Sequence, residues 1–171
     1  DPDVLRATCD LIVSSVDWSQ VDLIVSVEAM GLPLLAAVGD ATGKPTVVVR
    51  KRSYGMEGET RVDVATGYSQ STVYINDIKA GERIVIVDDV ISTGGTLEPL
   101  IQQLEDMGVI LQDIVIAIEK GCSARLRADF GKRPADAIPR ASGSPNENRS
   151  LINSNHVNTP RFLAASWNET N

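Results

Sequence analysis

Residues 84–87 are all Ile or Val, and this segment constrains the fold more than any other in the chain. Such a run is too uniformly apolar for a half-solvated strand, so it is typical of a central strand of a parallel sheet, buried on both faces. Two adjacent acids, Asp88 and Asp89, follow it directly. Because ligands of open α/β sheets bind at the carboxyl ends of strands, the sequence predicts a binding site there.

The residues after the acid pair are typical of a phosphate-binding turn. Apolar residues at positions 97, 100, 101 and 104 fall on one helical face, so a helix is predicted over residues 97–107. Its positive N-terminal end and the bare backbone of two glycines would attract a phosphomonoester. The carboxylates of Asp88 and Asp89 can accept hydrogen bonds from vicinal sugar hydroxyls and hold a divalent metal. The predicted phosphate-binding residues are Ser92, Thr93, Gly94, Gly95 and Thr96.

The first 120 residues alternate between predicted strands and helices. Such alternation is typical of an α/β protein with a doubly wound, mostly parallel sheet. Residues 51–70 have three glycines and weak periodicity, so we expect a long loop or a hairpin there, with residues 72–75 as a short edge strand. The predicted helices cover residues 2–16, 31–41 and 97–107, and the other predicted strands cover residues 22–27, 46–50, 84–88 and 114–118.

The two ends of the chain differ in charge. Residues 1–120 carry 19 acids and 9 bases, a net charge of −10, whereas residues 121–171 carry 4 acids and 7 bases, a net charge of +3. The second segment is also rich in Ser, Asn, Arg and Pro, with only scattered apolar residues. We therefore predict a folded core over residues 1–120 and a divergent, poorly structured tail over residues 121–171.

Composition disfavours several classes of protein. The acidic core argues against nucleic-acid binding, and the sequence has no apolar run long enough to cross a membrane. Cys9 and Cys122 have neither the spacing of a metal site nor a secretory context, so reduced thiols are expected. His156 is the only histidine, which leaves a histidine triad or metal cluster without support. We expect a cytoplasmic protein.

Several motifs agree, in order and spacing, with one known family. Residues 83–96 resemble the phosphoribosyl-pyrophosphate (PRPP) motif of type I phosphoribosyltransferases. Residues 25–31 resemble the pyrophosphate loop of that family, residues 48–52 its basic strand end, and residues 66–69 part of its mobile catalytic loop. From about residue 21 to residue 120, the chain resembles archaeal hypoxanthine/guanine-type and adenine-type purine phosphoribosyltransferases.

The resemblance implies a reaction and a set of site residues. A homodimer would transfer a 5-phosphoribosyl group from PRPP to a purine nitrogen with Mg²⁺, releasing pyrophosphate. The 5′-phosphate would lie at residues 92–96, and the ribose and metal at Asp88 and Asp89. Tyr68 in the mobile loop would cover the reacting carbon and act in catalysis with the two aspartates. The implied pyrophosphate residues are Ala29, Met30, Gly31, Arg50 and Lys51, with a strained cis peptide between Ala29 and Met30.

The residues of the general base do not carry over from the family. In hypoxanthine/guanine enzymes the third residue after the acid pair is an aspartate, whereas here it is Ser92. In adenine enzymes a loop glutamate precedes the tyrosine, whereas here Gly67 does. Lys120 resembles a lysine that contacts a 6-oxo group of the base, although a solvated strand-end lysine is the alternative. The short segment before the first helix also leads us to expect an incomplete hood over the purine.

A regulatory protein that binds PRPP or a nucleotide is the second hypothesis. The incomplete hood and the lost base positions favour it, whereas the retained Tyr68 loop and the lack of a strongly basic face favour the enzyme. Two simpler alternatives concern single motifs. The acid pair alone would suit an ordinary polar turn, and residues 50–52 alone would suit a solvated run of charge.

Overall fold

The computed structural model describes residues 1–66, 69–120 and 161–166. Within these ranges the chain alternates between helices and strands, and a short 3₁₀ turn (Trp18–Gln20) precedes the first strand. The helices are α1 (Pro2–Ser15), α2 (Leu32–Thr42) and α3 (Leu97–Asp106), and the strands are β1 (Leu23–Val27), β2 (Thr46–Val49), β3 (Thr60–Thr66), β4 (Ser69–Ile75), β5 (Arg83–Ile91), β6 (Ile110–Glu119) and β7 (Arg161–Ser166).

Five strands form one parallel sheet in the order β2-β1-β5-β6-β7. The central strand is β5, and each residue of its 84–87 segment is fully buried, at 0% exposure. This burial confirms the prediction of a central strand, which runs further than expected because it continues through the acid pair to Ile91. In the crossovers β1-α2-β2 and β5-α3-β6, the helix carries the chain back to the edge where the first strand began, so that the second strand can run parallel to it.

Helices cover both faces of the sheet, which confirms the doubly wound class. Alternate residues of β5 point to opposite faces, so the two sides have separate apolar clusters. On one face, Val85 and Val87 pack with residues of α1, of its C-terminal cap and of α2, namely Cys9, Ile12, Val16, Leu34, Leu35 and Val38. On the other face, Ile84 and Ile86 pack with residues of α3 and the β3-β4 hairpin, namely Leu100, Ile101, Leu104, Val62, Val64, Val73 and Ile75.

The helix ends follow from local sequence. Asp1 caps α1, where its carboxylate accepts a hydrogen bond from the Asp3 N–H at 2.9 Å. After α3, Gly108 adopts a φ of 77°, which a residue with a side chain rarely tolerates. The Val109 N–H then donates to the Leu104 carbonyl at 3.0 Å, closing the last turn. These ends confirm the predicted helices to within a few residues, and in the described part of the chain no helix combines the length and apolarity needed to cross a bilayer.

The predicted hairpin and the predicted edge strand form one unit. Residues 51–70 were predicted as a long loop or a hairpin and residues 72–75 as a short edge strand, and β4 begins earlier than expected, at Ser69. It pairs antiparallel with β3 in a two-stranded sheet that is separate from the main sheet. The reason is its two-faced pattern: Val62 and Val73 are buried on one side, whereas Arg61 and Asp63 face solvent. The apolar face of the hairpin covers the main sheet, and a backbone bridge between Arg50 and Tyr74 joins the two.

The tail contributes a strand to the sheet. Arg161–Ser166 form β7 and pair in parallel with β6, with Asp113 opposite Arg161 and Glu119 opposite Ser166. The expectation of a tail without regular structure is therefore wrong for these six residues, because a sheet edge at β6 provides unpaired backbone groups for another strand. Residues 121–160 and 167–171 lie outside the described residues, and whether residues 1–120 form a core on their own stays a prediction.

Candidate functional site

An open cleft of about 270 Å³ lies at the carboxyl edge of the sheet, where β1, β2 and β5 end. Its walls are the segment after β1, Lys51 after β2, and the continuous segment 88–97 after the buried part of β5. This is the edge at which the sequence predicted a ligand. The cleft brings together most of the predicted site residues: Ala29, Met30, Lys51, Asp88, Asp89, Ser92, Thr93, Gly94, Gly95 and Thr96.

Glu28 connects two walls of the cleft. Its Oε2 accepts a hydrogen bond from the backbone N–H of Lys51 at 2.8 Å, and its own N–H donates to the Val49 carbonyl at 2.9 Å. The segment after β1 and the segment after β2 are thereby held in register. Glu28 was not among the predicted site residues, although an acid directly after a buried strand was a visible signal.

The peptide bond between Glu28 and Ala29 is cis. The cis bond was predicted one position later, between Ala29 and Met30, and that assignment is wrong. Neither bond precedes a proline, so the sequence has no local signal that distinguishes one from the other. The side chain of Met30 is 71% exposed at the mouth of the cleft.

The Asp88 carboxyl group has an unusual environment for an acid. It is half-buried, and its Oδ1 accepts a hydrogen bond from the Asp89 N–H at 3.0 Å. The pKa of Asp88 is raised to about 7, mainly by burial and in smaller part by the nearby charge of Asp89, while the hydrogen bond from the Asp89 N–H and the Lys51 ammonium act in the opposite direction. A carboxyl group so placed gains stability from any cation or hydrogen-bond donor that enters the cleft.

Gly31 lies against Asp88 at the start of α2. A Cβ built on Gly31 would lie 2.2 Å from Asp88 Oδ1 and 2.3 Å from Ser26 Oγ. Both distances are far shorter than a van der Waals contact, so a glycine is required for this close approach. Gly31 was predicted to bind pyrophosphate, but it is not among the residues that line the cleft, and it packs against Asp88 and Ser26.

The turn before α3 has the features of an anion site. Gly94 adopts a φ of 81°, and its carbonyl accepts the Glu98 N–H at 2.9 Å, so the chain turns directly into the helix. Thr96 precedes α3 without a side-chain capping hydrogen bond. The Gly95 N–H donates to Thr93 Oγ1 at 3.5 Å, a long hydrogen bond. Because this turn lines the cleft at the start of α3, the helix dipole favours negative charge there.

The two predicted pyrophosphate cations lie in different places. Lys51 lines the cleft, and its charge opposes the raised pKa of Asp88. The Arg50 guanidinium instead lies 4.5 Å from the centroid of the Tyr54 ring, a cation–π distance, and does not line the cleft. The backbone N–H and carbonyl of Arg50 bond Tyr74 at 3.0 and 2.8 Å, which anchors the strand end to the hairpin.

Glu59 organises the loop that follows these cations. Its carboxylate accepts hydrogen bonds from the Ser53 hydroxyl, from the Tyr54 N–H at 3.1 Å and from the Asn76 side chain at 3.3 Å. These donors, the Ser53 hydroxyl first among them, hold the pKa of Glu59 below its usual value. The sequence predicted the loop from its glycines and weak periodicity, whereas the carboxylate of Glu59 holds it through partners 5, 6 and 17 residues away.

One further predicted residue lies outside the cleft lining, and another is not described. Lys120 is exposed and its backbone N–H donates to the Ile91 carbonyl at 2.7 Å, so the structure ties its backbone, not its ammonium group, to the site edge. Tyr68 lies outside the described residues. The cleft also has an apolar part that the motif did not reveal: Val27, Val90, Ile91, Leu97 and Ile116.

Comparisons with known proteins agree with this geometry. A family model described as a phosphoribosyl transferase domain matches residues 5–130. The hypoxanthine/guanine phosphoribosyltransferase of Methanopyrus kandleri is 43% identical over 130 residues, covering 76% of this chain and 70% of the relative. The protein of the same name from Methanocaldococcus infernus is 49% identical over 121 residues, covering 71% of this chain and 66% of the relative.

Solved structures show the same fold. The crystal structure of adenine phosphoribosyltransferase from Thermoanaerobacter pseudethanolicus has a TM-score of 0.63 at 26% identity and covers 70% of each chain. An adenine phosphoribosyl transferase from Trypanosoma brucei has a TM-score of 0.67 and covers 97% of this chain and 65% of that one, with 17% identity, which bears on the fold alone. The match of the family model over most of the chain, together with relatives above 40% identity, shows that this chain belongs to the phosphoribosyl transferase domain family.

Proposed function

We propose that the protein is a purine phosphoribosyltransferase of purine salvage, which transfers phosphoribosyl from PRPP to a purine base and releases pyrophosphate. One observation carries the proposal: a single cleft is lined by the acid pair, by the turn before α3 and by Lys51. These are the groups needed to hold a sugar, a phosphomonoester and a diphosphate at adjacent positions. The archaeal relatives named above support a purine as the acceptor.

The chemistry assigned to each group follows from its environment. Asp88 and Asp89 accept hydrogen bonds from the ribose hydroxyls, while residues 92–96 hold the 5′-phosphate at the positive end of α3. Lys51, with backbone groups of Ala29 and Met30, holds the leaving pyrophosphate. Positive charge develops on the ribose ring as the bond to pyrophosphate breaks, so the two carboxylates would also stabilise the transition state.

Magnesium fits the donor set of the cleft. Asp88 and Asp89 offer hard carboxylate oxygens, and the described residues contain no cluster of three or more metal-binding side chains. Mg²⁺ binds through one or two carboxylates plus substrate phosphates and keeps several waters, so two acids are sufficient. When bound, the ion neutralises charge on the departing pyrophosphate. We propose Asp88 and Asp89 as the residues that hold it.

Several finer points belong to the same proposal. Hypoxanthine and guanine are the first bases to test, because the relatives above bear those names. We propose that Tyr68 covers the reacting carbon, that Arg50 joins Lys51 once pyrophosphate is present, and that Lys120 contacts the 6-oxo group. A cytoplasmic homodimer is the expected form of the protein.

A protein that binds PRPP without transferring it is the second candidate function. The observation that favours it is Ser92, which stands at the position of the expected base, lines the cleft and carries no carboxylate. Such a protein would bind PRPP and Mg²⁺ through the same groups. Only turnover distinguishes the two functions.

An isotopic transfer assay tests the proposal. Purified protein is incubated with PRPP, Mg²⁺ and radiolabelled hypoxanthine, guanine or adenine in separate reactions, and the labelled nucleotide is quantified. Formation of one nucleotide with release of pyrophosphate supports the enzyme. PRPP binding by calorimetry without product from any base would establish the binding protein instead, and the absence of both binding and product would overturn both functions.

A further inference from the structure

Ser26 is a buried polar residue in a strand that is otherwise apolar. It lies in β1 between Val25 and Val27 and has 0% exposure. Its Oγ has no hydrogen-bond partner in the described part of the chain. A buried hydroxyl without a partner destabilises a fold, and an alanine would occupy nearly the same space without that cost. The position of Ser26 therefore calls for an explanation other than core packing.

Ser26 Oγ and the Asp88 carboxylate lie close to the same point beside Gly31. The same point in space, where a Gly31 Cβ would lie, is 2.3 Å from Ser26 Oγ and 2.2 Å from Asp88 Oδ1. Because Gly31 has no side chain, no Cβ occupies the space beside the hydroxyl and the carboxylate. Three residues from three different segments thus converge at the base of the cleft.

The Asp88 carboxylate can accept a further hydrogen bond. A carboxylate offers about four lone-pair sites, and the Asp89 N–H at 3.0 Å occupies one of those on Oδ1. A hydroxyl that donates to Oδ1 from the protein side would leave Oδ2 for a ligand. It would also fix the orientation of the carboxylate, which otherwise rotates about a soft torsion.

We infer that Ser26 is a positioning residue, whose hydroxyl donates to Asp88 Oδ1 when PRPP and Mg²⁺ occupy the cleft and so orients the carboxylate toward the ribose. This inference rests on the proposed function, because it assigns a partner to the residue proposed to bind the sugar. Ser26 does not contact the ligand, and acts through Asp88. Gly31 is required because any side chain would fill the space between the two groups.

The variant Ser26→Ala separates this role from a purely structural one. If Ser26 is only a core residue, removing its unpartnered hydroxyl leaves PRPP affinity unchanged and leaves the melting temperature (Tm) equal or higher. If it positions Asp88, Tm is again equal or higher, but the KM for PRPP rises about tenfold, since a hydrogen bond to a charged group is lost. We expect a smaller change in kcat and a higher Mg²⁺ concentration for half-maximal rate.

Two further variants act as controls. Ser26→Thr keeps the hydroxyl and is expected to restore a KM close to that of the wild type. Ser15→Ala removes a part-buried hydroxyl that bonds the Ile12 carbonyl at 2.8 Å on α1, away from the cleft, and is expected to change Tm without changing KM. A rise in KM for Ser26→Ala that Ser26→Thr reverses, with Ser15→Ala unaffected, supports the inference.

Other outcomes overturn it in distinguishable ways. An unchanged KM and Mg²⁺ requirement in Ser26→Ala, with an active wild type, overturns the role of Ser26 alone. A fall in Tm for Ser26→Ala would mean that the hydroxyl is already paired in the ligand-free protein, which also contradicts the inference. A wild-type protein that neither binds PRPP nor turns it over refutes the proposed function, and the Ser26 inference falls with it.

Discussion

The two ends of the central sheet shift the pKa of an aspartate in opposite directions. At the amino edge, the Asp22 carboxylate receives hydrogen bonds from Arg83 at the start of β5: from Nη2 at 2.6 Å, Nε at 2.9 Å and the backbone N–H at 3.0 Å. These bonds hold the pKa of Asp22 well below its usual value. At the carboxyl edge, burial raises the pKa of Asp88 to about 7.

The difference shows which end the fold itself uses and which end awaits a ligand. Asp22 is saturated by a cation of its own chain, so it fixes the relation of β1 to β5 and has little capacity for anything else. Asp88 is ionised at a cost, and that cost falls when a metal or a sugar hydroxyl enters the cleft. A site that favours ligand binding is thus one where the protein itself does not stabilise the ionised form of a carboxyl group.

The largest expected effect on PRPP binding comes from replacing the two acids at the carboxyl edge. The double variant Asp88→Asn, Asp89→Asn should weaken PRPP binding by roughly 100-fold or more, because two charged acceptors for ribose and metal are lost. Its Tm should be equal or higher, since a half-buried charge is removed. Calorimetry with PRPP and Mg²⁺ measures the affinity, and unchanged affinity would refute the assignment of the acid pair.

A pair of glycines at the two ends gives the next largest effect. Gly94 and Gly81 have φ values of 81° and 83°, so a valine at either position strains the backbone by roughly 1–3 kcal/mol. Only Gly94 lines the cleft, whereas a Cβ on Gly81 meets nothing within 4 Å. Both valine variants should lose similar stability.

The two glycine variants should differ in their affinity for PRPP. Gly94→Val should lower PRPP affinity at least about tenfold, because a branched side chain enters the space of the phosphate, whereas Gly81→Val should leave it unchanged. Thermal melts and calorimetry on both proteins test this. If Gly94→Val binds PRPP normally, the turn before α3 is not the phosphate site.

Local sequence sufficed for the features that depend on neighbouring residues. The apolar run at 84–87 fixed β5 as a buried parallel strand, and the periodic apolar residues of α3 with Gly108 after them located that helix. Residues 88–96 then had to lie at the carboxyl edge, because that position follows from strand direction alone. The candidate site could therefore be predicted in outline before its geometry was known.

Features that depend on distant contacts could not be predicted. Ser26, Gly31 and Asp88 meet only after β1 and β5 pair, and nothing in the sequence marks Ser26 as other than a strand serine. The sheet to which the hairpin belongs could not be predicted, because its apolar face fits either the edge of the main sheet or a cover over one of its faces. For the six residues of β7, the weak local pattern gave no sign of a strand that the free edge of β6 supports.

The two aspartates also predict opposite dependences of stability on pH. Because the pKa of Asp88 is raised from 3.8 to about 7, the folded protein retains a proton that the unfolded chain loses between these values. The free energy of unfolding of the wild type, relative to Asp88→Asn, should therefore fall as pH rises from about 4 to about 7, with a slope of at most about 1.4 kcal/mol per pH unit.

Denaturant titrations of both proteins across this pH range test the effect of Asp88. A difference that stays constant with pH would mean that Asp88 titrates normally in the folded protein. Addition of Mg²⁺ with PRPP should reduce the slope, because a bound cation stabilises the ionised carboxylate. A slope that ligand leaves unchanged would place the ligand away from Asp88.

The smallest expected effect comes from replacing Asp22 at the amino edge of the sheet. Asp22→Asn removes an ion pair whose two side chains are partly exposed, so Tm at pH 7 should fall by a few degrees at most. The pKa of Asp22 is lowered, so its contribution is complete above the usual value of 3.8 and is lost as pH falls below it, the opposite sign to Asp88. PRPP affinity should not change, because the substitution lies at the far edge of the sheet. Weaker PRPP binding in Asp22→Asn would show that the two ends are coupled through β5 and that the contrast between them is wrong.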